Sequence, residues 1–141
     1  EFNHSGVFYV PHLGWWVMTT PPLQIALLDD KEFGVQQIRN ALPVGVAAEV
    51  TWFPDLPALR ADVRVFDILF LDYYLDRDGI TGDMAMAEVQ RRAGVIIGFS
   101  SAESGNRHLL ACGADHAVAK QWGTHNDALE NLLLEILPAD D

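Results

Sequence analysis

Four apolar runs of strand length, each ending in a chemically active side chain, constrain this chain more than any other feature. Ile25-Ala26-Leu27-Leu28 leads into Asp29-Asp30, and Phe66-Asp67-Ile68-Leu69-Phe70-Leu71 leads into Asp72. Val95 to Phe99 leads into the hydroxyl pair Ser100-Ser101, and Ala117-Val118-Ala119 leads into Lys120. Near-continuous apolar runs of this length mark strands covered on both faces, the pattern of a parallel sheet. In an open parallel sheet, functional groups gather at the carboxyl ends of the strands. The four run ends would then converge on one acidic pocket with a hydroxyl and an ammonium at its rim.

The segments between the runs supply the helices that such a sheet requires. Strands are expected at Leu23–Leu28, Ala47–Phe53, Phe66–Leu71, Val95–Phe99 and His116–Ala119, with Phe66–Leu71 central because it is the most hydrophobic. Helices are expected over Glu32–Leu42, Leu56–Asp62, Asp83–Arg92, Ser104–Ala111 and Asn126–Leu137. Helical spacing turns Phe33, Ile38, Ala41 and Leu42 inward on the first, Leu56 and Leu59 on the second, and Ala85, Met86 and Val89 on the third. On the last it selects Leu129, Leu132, Leu133 and Ile136. Gly113 is placed to cap the fourth helix, and Asp76 to Gly82 reads as a polar loop. The fold class is α/β, a doubly wound five-stranded parallel sheet with helices on both faces. No internal repeat interrupts it.

Composition bounds the function. The chain has 141 residues, half of them hydrophobic, enough for one domain with a real core. No apolar run is long enough to span a bilayer, so no membrane partner is expected. The net charge of −11 argues against nucleic acid as a partner. The single cysteine, Cys112, forbids an internal disulfide and fits a reducing, cytoplasmic setting; core packing is its expected role. His108, His116 and His125 have no paired ligand spacing and read as ordinary residues. Only two lysines occur, Lys31 and Lys120, and the second ends a strand-like run instead of lying on a charged helix face. Residues 1–17 are aromatic-rich, nearly uncharged and without period. They read as an arm, vector-derived or from an upstream reading frame, with a native arm as the alternative. Residues 18–141 read as the single domain.

This set, in its order and near-family spacing, resembles the receiver domain of bacterial two-component response regulators, a flavodoxin-like fold, over roughly residues 23–137. The segment Cys112-Gly113-Ala114-Asp115-His116-Ala117-Val118-Ala119-Lys120 is similar to the family's stretch ending in its active-site lysine. The resemblance implies that Asp72 is the phosphoryl acceptor. It implies Mg²⁺ as cofactor, bound by Asp29, Asp30, Asp72 and the backbone carbonyl of Tyr74. Ser100 matches the switch hydroxyl, and Lys120 the lysine that neutralises the phosphoryl oxygens. The implied partners are a histidine kinase or phosphotransfer protein and a downstream protein target, with a homodimer allowed. The domain would be a stand-alone phospho-acceptor with slow self-catalysed turnover, not an enzyme in the ordinary sense.

The sequence also departs from the family. Gln121 follows Lys120 where proline is usual, so a trans bond and a differently shaped loop are expected there. Ala117 occupies the position of the family's aromatic switch, and Asp76 that of a common proline. These departures keep open a phosphate-independent interaction module built on the same fold. A third reading comes from Asp72 through Asp76-Arg77-Asp78-Gly79, which faintly resembles the nucleophile motif of haloacid-dehalogenase-type phosphatases. There Ile80 replaces the expected threonine and Asp76 would be the nucleophile.

Overall fold

The computed structural model describes residues 6–19, 21–75 and 79–137. Among the described residues there are two sheets. The first is an antiparallel hairpin of β1 (Gly6–Val10) and β2 (Trp15–Thr19), with Gly6 opposite Thr19 and Val10 opposite Trp15. Gly14 closes its turn at φ 75°, a left-handed backbone that glycine adopts without a steric penalty. Residues 1–17 have no period, so this hairpin was not expected, and its second strand crosses the 17/18 boundary read from the sequence.

The second sheet is the expected one. Its strands are β3 (Leu23–Leu28), β4 (Ala48–Phe53), β5 (Phe66–Leu71), β6 (Ala93–Gly98) and β7 (His116–Ala117). They lie in the order β4-β3-β5-β6-β7, all parallel, with Leu28 opposite both Phe53 and Leu71, and Leu71 opposite Gly98. That common register brings the strand ends level, so residues 29 and 72 lie side by side just beyond them. The order reverses between β3 and β5, which run side by side although β4 separates them in sequence. In open α/β sheets such a switch point opens a crevice beyond the carboxyl ends.

Strand alternation divides the core into two layers. Ile25, Leu27, Ile68, Phe70 and Ile97 face α1 (Gly34–Ala41) and α5 (Asp127–Ile136), burying Val35, Ile38, Leu129 and Leu133. Ala26, Leu28, Leu69, Leu71 and Ile96 face α2 (Leu56–Ala61), α3 (Gly82–Gln90) and α4 (Glu103–Cys112), burying Leu56, Leu59, Met86, Val89 and Leu109. Asp55 starts α2 as a true cap, accepting a hydrogen bond from the Ala58 amide at 2.9 Å.

Several expectations shift. β7 has two residues instead of four, because only His116 and Ala117 pair with β6. Phe33 is not on the buried face of α1; it precedes the helix and is 38 % exposed. Cys112 is exposed at the last residue of α4, beyond the buried Gly105, Asn106 and Leu109.

Two glycines set how closely the helices approach the strand ends. A Cβ on Gly82, the first residue of α3, would lie 2.5 Å from the Asp72 carbonyl oxygen and 2.8 Å from Leu109 Cδ2. A Cβ on Gly105, in α4, would lie 2.8 Å from Tyr73 Cβ and 3.0 Å from Ser100 Oγ. No side chain fits at either place without displacing the backbone after β5 or the residues around it.

Candidate functional site

Asp29, Asp72 and Lys120 meet at the carboxyl edge of the sheet, each at the end of an apolar segment and each buried. Lys120 Nζ donates a hydrogen bond to Asp29 Oδ2 and lies 3.6 Å from Asp72 Oδ2. Asp29 is held from two further sides. Its Oδ1 accepts from the Lys31 amide at 3.0 Å, and its carbonyl accepts from Trp52 Nε1 at 2.7 Å. Asp72 Oδ1 accepts from the Tyr73 amide at 2.9 Å. Asp30 is exposed, and one ligand oxygen each from Asp29, Asp30 and Asp72 lies within 4.8 Å of the others.

Two carboxylates and one ammonium thus share a place largely closed to water. Burial, and then the charge of Asp29, push the Asp72 carboxyl up from 3.8 to about 7, against the opposing pull of Lys120. Burial also pushes the Asp29 carboxyl up, against the hydrogen bond and charge of Lys120. One cation does not satisfy both acids, and both carboxyls are held above their ordinary value. A further cation would relieve both. The donors are all oxygens, and one carboxylate stands at the open side. That set suits a hard divalent ion such as Mg²⁺ or Ca²⁺ better than a soft transition metal.

A cavity of about 220 Å³ opens beside this group, lined by Asp30, Phe33, Asp72, Tyr74, Ser101, Lys120 and Trp122 among others. Its floor is ionic and its rim aromatic. The Phe33 and Trp122 rings stack 5° from parallel with centroids 6.2 Å apart, although Trp122 is 94 % exposed. Lys120 Nζ lies 5.3 Å from the Phe33 centroid, within cation–π range. Tyr74 is exposed and edge-on to Tyr73, which in turn stacks on His108 at 5.5 Å. The Tyr73 carbonyl accepts from the Gly82 amide at 2.6 Å, which ties the segment after Asp72 to the start of α3.

The two serines at the end of β6 take different places. Ser100 is buried against Gly105, and its Oγ accepts from the Ala102 amide at 3.2 Å. Its backbone is held on both sides by Asn106, whose Oδ1 accepts from the Ser100 amide at 3.0 Å and whose Nδ2 donates to its carbonyl at 3.1 Å. Ser101 is exposed and lines the cavity. The order of residues gave no means of choosing between adjacent hydroxyls. Asp76, the nucleophile of the phosphatase-like reading, lies outside the described residues.

The loop after Lys120 is shaped as its sequence suggests. The Lys120–Gln121 peptide is trans, and the loop is held by side chains from α1 and the cap of α5. These are Gln37, which is fully buried, and Asn126, 4 % exposed. Neither stood out in sequence, where each reads as an ordinary polar helix residue.

No protein-family model matches the chain, and no curated protein matches it in sequence. Solved structures do match in fold. The chemotaxis response regulator CheY4 of Vibrio cholerae is 19 % identical, over 83 % of this chain and 100 % of that one, with a TM-score of 0.61. The phosphorylated cyanobacterial phytochrome response regulator RcpA is 19 % identical, over 82 % and 91 %, with a TM-score of 0.60. A Burkholderia pseudomallei response regulator solved with a phosphorylated aspartic acid, a calcium ion and citrate is 19 % identical, over 82 % and 74 %, with a TM-score of 0.56. The chain has the flavodoxin-like fold of response-regulator receiver domains.

Proposed function

We propose that this protein is a phosphoryl-accepting receiver in which Asp72 is the acceptor and Asp29, Asp30, Asp72 and the Tyr74 carbonyl form a Mg²⁺ site. The observation that carries this reading is the single cluster made by Asp29, Asp30, Asp72 and Lys120 at one sheet edge. They come from three separate strand ends, spanning residues 29 to 120. A bound Mg²⁺ offsets the repulsion between a carboxylate and phosphoryl oxygens, which otherwise blocks the reaction. Asp72 Oδ2 attacks phosphorus, the bond between phosphorus and the donor's leaving atom breaks with its electron pair going to that atom (the imidazole nitrogen of a phosphohistidine, the bridging oxygen of acetyl phosphate), and an acyl phosphate forms on Asp72. Lys120 faces the same oxygen from the buried side and is placed to balance the charge of the phosphoryl group. Mutual repulsion among crowded carboxylates costs stability, so their retention favours a chemical use.

The family's switch hydroxyl is assigned to Ser100. Rotation away from the Ala102 amide would free its Oγ. Ser101 already borders the cavity and is the competing candidate. Phosphoryl donors of the histidine-kinase or phosphotransfer class, a protein target for the output and a cytoplasmic setting complete the proposal. Among the described residues no helix is long and apolar enough to cross a membrane.

Incubation with acetyl phosphate and Mg²⁺ tests it. One labile, hydroxylamine-sensitive acyl-phosphate group is expected on Asp72 and none on Asp72→Asn. Label on Asp76 would support the phosphatase-like reading. A folded protein that takes no label from any donor would support the phosphate-independent module, which Ala117 at the aromatic-switch position favours.

A further inference from the structure

We infer that Gln37 is the positioning residue for Lys120, acting as a lock on the loop that follows the lysine; this rests on the reading of Asp72 as phosphoryl acceptor. Gln37 lies on α1 among Val35, Ile38 and Ala41, and is 0 % exposed. A primary amide in such a place is costly unless its hydrogen bonds are made. Gln37 makes all four that an amide can make. Its Nε2 donates to the Gln121 carbonyl and, at 2.9 Å, to the Gly123 carbonyl. Its Oε1 accepts from the Gln121 amide at 3.2 Å and from Asn126 Nδ2 at 3.1 Å.

The Gln121 main chain is therefore held at both its N–H and its C=O, as a neighbouring strand would hold it. Asn126 Nδ2 also donates to the Ala119 carbonyl at 2.8 Å, on the other side of the lysine. The Lys120 amide itself donates to the Ser100 carbonyl at 3.1 Å. Residues 119, 120 and 121 are each tied down, which leaves the Lys120 side chain one path toward Asp29 and Asp72.

A proline at 121 would have no N–H to give Gln37. The residue that departs from the receiver pattern is thus the one this lock uses. The lock reaches the site from α1 and from the cap of α5, which bury their faces together under the same side of the sheet. A glutamine that merely filled space would not need three of its four hydrogen bonds directed at one loop and the fourth at the cap of α5 that also holds it.

The test compares the whole chain with Gln37→Met and Asn126→Ser. Methionine keeps the volume of residue 37 and removes its polar atoms. Serine still caps α5 through its hydroxyl, replacing the bond that Asn126 Oδ1 accepts from the Leu129 amide, but lacks the amide donors. In the wild type, the ¹⁵N-labelled Lys120 ammonium should give a slowly exchanging NMR signal, and the Gln121 amide should be protected from hydrogen exchange. Both should be lost in each variant, while far-UV circular dichroism stays unchanged. Acyl-phosphate formation at saturating Mg²⁺ should fall roughly 10- to 100-fold, the scale of a group misplaced by about 1 Å.

An intact Lys120 ammonium signal in the variants would overturn the inference. So would an unchanged labelling rate alongside a labelled wild type. If Gln37→Met does not fold, Asn126→Ser decides. A wild type that takes no label on Asp72 defeats the phosphoacceptor reading instead, and the ammonium and amide signals then decide the lock by themselves.

Discussion

The two ends of the sheet use the same kinds of charged residue in opposite ways. At the amino end, Arg64 pairs with Asp62 at 2.8 Å and Arg60 with Glu88 at 2.8 Å, all partly open to water. Arg64 lies over the Phe66 ring as well, at 5.1 Å. Asp62 and Glu88 each have their own arginine, and Arg64 holds the Asp62 carboxyl down at about 2. At the carboxyl end, two buried acids share one lysine, and Asp72 is pushed up to about 7. Balanced, hydrated pairs contribute little and ask for nothing. An unbalanced, buried set is a store of unfavourable charge that a cation or a phosphoryl group can release. The lesson is that pairing ratio and burial, and not the number of charges, mark the reactive end.

The largest effect should come from removing the shared cation. Lys120→Met leaves two buried acids with no counter-charge. It should lower stability by about 3–5 kcal/mol in urea titrations at pH 8 without divalent ions. Added Mg²⁺ should restore part of that loss, and a loss near zero would mean the acids are already hydrated.

Removing one of the two acids should act in the reverse sense for Asp72 only. Asp72→Asn should raise stability at pH 8 by on the order of 1–3 kcal/mol, whereas Asp29→Asn, which strips Lys120 of its hydrogen-bonded partner, should lower it. The same cause gives a pH dependence. Asp72 holds its proton more tightly folded than unfolded, so its contribution is fully present below pH 3.8 and is lost as pH rises to about 7. Asp72→Asn should flatten that decline. A wild-type stability that rises through this window because of Asp72 would reverse the comparison.

Cation binding should show the same imbalance. Mg²⁺ must displace whatever proton Asp72 retains, so its affinity should rise between about pH 6 and pH 8. Calorimetry in two buffers of different ionisation enthalpy should detect the released proton. Equal heats after buffer correction would argue that Asp72 is already ionised.

The smallest effect belongs to the amino end. Arg64→Ala should cost less than about 1 kcal/mol and lose its salt dependence with the pair. A larger loss would trace to its contact with Phe66.

Much of this was legible in the chain, for definite reasons. Leu23–Leu28 and Phe66–Leu71 stand in the structure with the bounds their apolar runs predict, because burial on both faces leaves no periodic ambiguity. Asp29 and Asp72 were readable as neighbours because the ends of β3 and β5 are level in the register of a parallel sheet. β6 begins at Ala93 instead of Val95, since pairing with Phe66 sets its start and hydrophobicity does not. The hairpin of residues 6–19 could not be read from alternation, because apolar residues stand at successive positions such as Trp15, Trp16 and Val17. Gln37 was hidden for a different reason. Its partners are main-chain groups 84 and 86 residues away, and main-chain groups leave no mark in a sequence. Phe33 fits a helical stripe on paper, yet it rims the cavity because α1 starts one residue later.

The absent side chains of Gly82 and Gly105 matter mechanically. Between the first turns of α3 and α4 and the segment Asp72-Tyr73 the clearance is that of a bearing without play. If the backbone at 72 or 73 moves by more than a few tenths of an ångström, one of those helices must travel with it. Whatever event occurs at the acid on the end of β5 is thereby geared to the outer face of the domain, with no slack to absorb the stroke.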